Sequence, residues 1–141
     1  MILALLDSLR DQQRRKLWAP GQATGRRGED LAHRYLRRHG YIVVARNYRL
    51  SAGDAEADII AWDREALVIV EVKTRESDAF GPPDRAIGED KRRALQRIAR
   101  EYSRKGTLPE EQVRCDVVTV ILTPKPHIEL FRNAVRLTVT A

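Results

Sequence analysis

Three residues on neighbouring stretches have types and spacing suited to chemistry. Asp58 stands in Ala57-Asp58-Ile59-Ile60, and Glu71 and Lys73 follow in Val70-Glu71-Val72-Lys73. Side chains alternate along an extended strand, so Glu71 and Lys73 leave one face and Val72 the other. A turn centred near Asp63 and Arg64 folds the two stretches into an antiparallel hairpin. It puts Asp58 across from the neighbourhood of Glu71, with a residue or two of freedom in register. Two carboxylates and a lysine at the end of an apolar strand are costly unless something compensates them. A hard divalent cation, Mg²⁺ or Mn²⁺, would do so, because it takes oxygen ligands of the kind offered by Asp58, Glu71 and the backbone carbonyl of Val72. Such an ion polarises a phosphate and lowers the pKa of a bound water. Lys73 would orient that water or offset the charge developing at phosphorus. The bland alternative is an incidental Glu-Lys pair on an exposed strand. The wholly apolar run before the pair and the aspartate on the partner strand favour the chemical reading.

Two helices bring further candidates. In the segment from Ala23 to His39 the apolar stripe is Leu31, Ala32, Tyr35 and Leu36. At about 100° per residue, Gly28 falls in the middle of that stripe and Glu29 at its edge. Gly28 would let the helix backbone approach the sheet. Glu29 would then point at the hairpin and add to the metal ligands, the alternative being an ordinary pair with Arg26 or Arg27. In the segment from Glu89 to Lys105, Lys91 lies in the angular range of the apolar face. A contact to the site or to a phosphate would explain it there, and snorkelling along the face is the alternative. The other basic residues of that helix, Arg92, Arg93, Arg97, Arg100, Arg104 and Lys105, spread round its polar side. That is a solvated face by default and a salt-sensitive phosphate-contacting surface otherwise. Lys91, Arg75, Arg26 and Arg92 are the residues assigned to nucleic-acid phosphates.

The elements that must position these residues form one α/β unit with a mixed sheet. A helix to Gly40 is followed by strands over Tyr41–Tyr48, Glu56–Trp62 and Ala66–Lys73. The run Leu67-Val68-Ile69-Val70 reads as buried on both faces and hence central. Gly81, Pro82 and Pro83 make a loop, the second helix follows, and β-rich runs over Val113–Leu122 and His127–Phe131 close the order. Residues 1–20 read as a short amphipathic helix from Ile2 to about Trp18, and residues 21–141 as the main domain. The whole chain has 141 residues, enough for one core.

Lys and Arg number 26 against 20 acids, a net charge of +6 that favours a polyanionic partner. Cys115 is the only cysteine, so no internal disulfide is possible, and it reads as a buried small hydrophobe. His33, His39 and His127 lack zinc-ligand spacing. The apolar start is too short for a signal core or a membrane span, so a cytoplasmic location without a membrane partner is expected.

Several blocks together resemble the bacterial YraN-like family: Gly25-Arg26-Arg27-Gly28-Glu29-Asp30-Leu31-Ala32, Asn47-Tyr48-Arg49, Ala57-Asp58-Ile59-Ile60-Ala61, Val70-Glu71-Val72-Lys73-Thr74-Arg75, Lys91 and Arg114-Cys115-Asp116-Val117-Val118. The resemblance runs from about Gly25 to Phe131. It implies a restriction-endonuclease-like fold of the PD-(D/E)XK superfamily, akin to Holliday-junction resolvases, with a mixed sheet flanked by helices. It implies a site at Asp58, Glu71 and Lys73 with Glu29 contributing, and metal-dependent endonuclease action on DNA, branched or repair intermediates included. Related resolvases act as dimers, so a homodimer is carried as an expectation. One departure is Ala55, which stands beside Glu56 where the family usually has glycine. The alternative function is a nucleic-acid-binding module of the same fold without catalysis.

Overall fold

The computed structural model describes residues 20–50, 55–79 and 86–137. The expected N-terminal helix, the turn at 51–54 and residues 80–85 of the loop lie outside the described residues.

Helix α1 spans Pro20–Arg38, starting before the expected Ala23. Ala32 and Leu36, one turn apart, are fully buried and form its core stripe. The turn that closes the helix beyond Arg38 holds Gly40, whose φ of 88° is the left-handed region glycine enters freely, and the Tyr41 N–H reaches back to the Leu36 carbonyl at 3.0 Å. Three strands follow as an antiparallel meander: β1 Ile42–Arg49, β2 Glu56–Asp63 and β3 Ala66–Arg75. Helix α2, Glu89–Lys105, then carries the chain across to β4, Val113–Ile121, which lies parallel to β3, and β5, His127–Val135, returns antiparallel. A parallel neighbour requires such a crossover. A short 3-10 turn at Glu110–Gln112, not foreseen from the sequence, leads into β4. The sheet order is β1-β2-β3-β4-β5.

The sheet is thus mixed and flanked by one helix on each face. Leu67 to Val70 are all fully buried, as a central strand requires. Alternation divides them: Val68 and Val70 join Ala32 and Leu36 beneath α1, whereas Leu67 and Ile69 join Leu95 and Ile98 beneath α2. Among the described residues no helix is long and apolar enough to cross a membrane.

Candidate functional site

The β2–β3 hairpin turns at Arg64 and Glu65, one residue later than expected, with Arg64 at φ 56° and Asp63 paired with Ala66. The ladder runs only as far as Ile59 opposite Val70. One step further the same register would set Asp58 against Glu71. At that step the Val72 N–H donates to the Asp58 carboxylate at 2.8 Å. A strand N–H needs a partner, so this bond closes the frayed ladder and fixes the carboxylate at once. The backbone group of Val72 that touches Asp58 is its amide.

The pleat changes at the same point. Ile59 and Ala61 pack beneath α1 and Ile60 beneath α2, so strict alternation would send Ala57 towards α1. Ala57 packs instead with the α2-side cluster. On the neighbouring strand, between the pairs Arg46–Ile59 and Tyr48–Ala57, Asn47 sits at φ 51°. Asparagine tolerates that left-handed conformation better than most residues. A one-residue change of phase reassigns side chains to the other face. Here it leaves Asp58 within reach of acids from both layers, Glu29 of α1 and Glu71 of β3.

Glu71 is 7% exposed. Burial, and then the Asp58 carboxyl within hydrogen-bonding reach, push its pKa far above the usual carboxylate range, and Lys91 offsets this only in part. The Lys91 Nζ lies 3.1 Å from Glu71 Oε2 and donates to the Glu56 carbonyl at 3.0 Å. The expensive lysine on the apolar face of α2 therefore finds its partner in the site. Glu29 lies 3.9 Å from an Arg26 nitrogen and 3.7 Å from an Arg46 nitrogen. Burial, and then the negative charge of Asp58, still push Glu29 up to about 7. With the Asn47 amide oriented as its neighbours require, its nitrogen donates to Glu29 Oε1 at 3.0 Å and its oxygen accepts from Arg26 at 2.8 Å.

Gly28 explains how α1 comes so near. A Cβ built on it would stand 1.8 Å from Thr74 Oγ1, so the helix backbone rests directly on β3. Lys73, two residues from Glu71, donates to the Ala86 carbonyl just ahead of α2. Among the described residues no three Asp, Glu, His or Cys side chains are gathered as a ready metal cage. The paired carboxylates of Asp58 and Glu71 nonetheless match the donor set of a Mg²⁺ site, which takes one or two carboxylates and fills its other positions with water and phosphate oxygens. The strain on Glu71 is what such an ion would relieve.

Among the basic residues assigned to phosphates, Arg26 is 6% exposed and turned to Glu29 and Asp30. Arg92 is held by Glu89 and Gln96, Lys91 by Glu71, and Arg75 lies half-buried at the end of β3. Arg46 and Asn47, not singled out from the sequence, complete the setting of Glu29. The signal was an asparagine, a residue depleted in strands, inside a strand-like run. Cys115 is fully buried as expected, and burial followed by the nearby Glu71 charge pushes its thiol up, away from reactivity.

The chain is similar in sequence to proteins of one family. Over 133 residues the chain is 47% identical to a UPF0102 protein of Solibacter usitatus (strain Ellin6076), covering 94% of this chain and 99% of that one. It is 44% identical over 112 residues to a UPF0102 protein of Koribacter versatilis (strain Ellin345), covering 79% and 78%, and 44% identical over 103 residues to one from Nocardia farcinica (strain IFM 10152), covering 73% and 80%. The model of the uncharacterised protein family UPF0102 matches residues 28–120, a span that contains Glu29, Asp58, Glu71, Lys73 and Lys91. The chain belongs to the uncharacterised protein family UPF0102.

Proposed function

We propose that this protein is a metal-dependent phosphodiesterase that hydrolyses nucleic-acid backbones, DNA foremost, in keeping with its resemblance to the YraN-like family and the PD-(D/E)XK kinship which that resemblance implies. The observation that carries the reading is the contact between Asp58 and Glu71 at the end of a buried strand, two carboxyls with one lysine between them and neutrality. A fold spends such an arrangement poorly unless a cation completes it. Asp58 and Glu71 would hold a Mg²⁺ or Mn²⁺ ion, with the Val72 backbone beside them and Glu29 extending the acidic wall towards α1. Bound there, the ion would supply Lewis acidity towards a phosphate oxygen and acidify a ligated water.

The chain's own groups do the rest. The Val72 N–H aims the Asp58 carboxylate. Lys73 exchanges the Ala86 carbonyl for a non-bridging oxygen of the scissile phosphate and offsets the charge that builds there. Arg93, Arg97 and Arg104 are exposed along α2, opposite its buried Leu95 and Ile98. Together with the net charge of +6 they suit a polyanion and would give sequence-neutral, salt-sensitive affinity.

Purified protein with Mn²⁺ is expected to nick or cut DNA, and Asp58→Ala, Glu71→Ala and Lys73→Ala are each expected to stop this while remaining folded. Gel assays over linear, flapped and four-way DNA check it. Equal cutting by all three variants would remove the assignment. Salt-sensitive binding without turnover in any metal would instead assign the same surface to a non-catalytic binding module.

A further inference from the structure

The site carries a cation of its own. Lys91 reaches Glu71 from α2, and the construction of that contact is unlike an ordinary structural ion pair. Its aliphatic stem runs on the apolar face of α2, one turn before the fully buried Leu95, while its side chain keeps 38% exposure. The stem lies along the apolar face, and the ammonium at its end is held by polar contacts alone. Its two described partners are the Glu71 carboxylate and the Glu56 carbonyl, at 3.1 and 3.0 Å. Nearby, the Asn47 amide links the Glu29 and Glu56 carboxylates, and the Asp58 carboxyl acts on both Glu29 and Glu71. The ammonium therefore holds ground that oxygen ligands of a hard cation would need.

We propose that Lys91 is a resident counter-ion of the carboxylate pair, which an incoming divalent cation must displace from Glu71. This rests on the metal reading given above and goes beyond it, because it assigns Lys91 a role in the metal-free protein. Two positive groups cannot share one carboxylate in a poorly solvated site without strong repulsion. Lys91 consequently lowers the site's affinity for metal when no substrate is present. Once displaced, its ammonium swings outward on its stem to where a substrate phosphate would lie. Metal loading and phosphate binding then favour each other, since each needs Lys91 off Glu71 and the phosphate gives it a new partner.

The test titrates Mn²⁺ calorimetrically into metal-free wild type, Lys91→Met and Lys91→Arg without nucleic acid, with thermal melting as the control for folding. Lys91→Met keeps the apolar stem and loses the charge, so it is expected to bind Mn²⁺ about tenfold tighter than wild type, within the ordinary range of site–site coupling. Lys91→Arg keeps the charge and is expected to bind no tighter than wild type. A second measurement needs no variant: acylation of Lys91 in the wild-type protein, followed by peptide mass spectrometry, is expected to speed up several-fold when Mn²⁺ is added. Unchanged or weaker Mn²⁺ binding by folded Lys91→Met, or Lys91 labelling that Mn²⁺ leaves unchanged while it binds, overturns the counter-ion role and leaves the metal reading standing. Absence of Mn²⁺ binding in wild type and Lys91→Met alike overturns both.

Discussion

Two buried acids of this sheet are treated in opposite ways. Asp116 on β4 is fully buried, and every side of it is answered: Tyr41 donates its hydroxyl at 2.9 Å, Arg114 its Nε at 3.0 Å and Asn133 its backbone N–H at 2.8 Å. Arg114 also binds Asp63 at 2.6 Å, and Arg132 donates to the Tyr41 hydroxyl at 3.1 Å. Glu71 on β3 is nearly as buried, yet its neighbours are another carboxyl and a single lysine. The first region has donors matched to acceptors, the condition under which a buried charge becomes part of the scaffold. The second keeps an excess of acceptors, the condition under which a cation or a phosphate-bound metal is wanted. Satisfaction of hydrogen bonds separates scaffold from site here better than burial does.

The contrast can be broken most forcefully at the satisfied end. Asp116→Ala takes from Arg114 one of its two acidic partners, removes the acceptor of the Tyr41 hydroxyl and the Asn133 N–H, and is expected to cost about 3 kcal/mol by chemical denaturation, the usual scale for removing one side of a buried pair. A loss near zero would make Asp116 as dispensable as a surface acid. Next in size, Mn²⁺ at a hundred times its dissociation constant should stabilise wild type by about 2.7 kcal/mol and leave Glu71→Gln unmoved. Thermal melts with and without the ion read this, and an equal gain in both proteins would move the ion elsewhere.

The third effect is a slope with pH. Glu29 has its folded pKa raised from 4.5 to about 7, so its neutral form is favoured by folding. The stability this contributes is whole below about pH 4.5 and is lost as pH rises towards 7. Glu29's share of the weakening over that window is at most about 1.4 kcal/mol per pH unit, the limit for one titrating group, and it adds to the share of Glu71, whose pKa is raised as well. Glu29→Gln should flatten that stretch of the curve, and an unchanged slope would show that Glu29 does not titrate there.

Much of the fold could be read directly from residue patterns. The apolar run Leu67 to Val70 announced the central strand, Gly40 the end of α1, and the 3.6-residue stripes the faces of both helices. The pairing of Asp58 with the surroundings of Glu71 followed from a short turn between two strands. The change of pleat at Asp58, which falls beside Asn47 in its left-handed φ, was not legible, because a sequence gives residue type but not backbone angle. Nor could it show which acid Lys91 would meet, or that Arg26 would turn inwards. Those outcomes depend on which partner lies closest once two layers have met.

The contact between Gly28 and Thr74 sets a mechanical tolerance. With no side chain between them, α1 has no spacer on which to ride up or settle, and Glu29, the very next residue, inherits that fixed height above β3. The gap separating the acid of one layer from the acids of the other is therefore gauged by main chain on one side and a short threonine on the other. Rigid parts of that kind hold a separation steady against thermal jostling far better than long, rotatable side chains could.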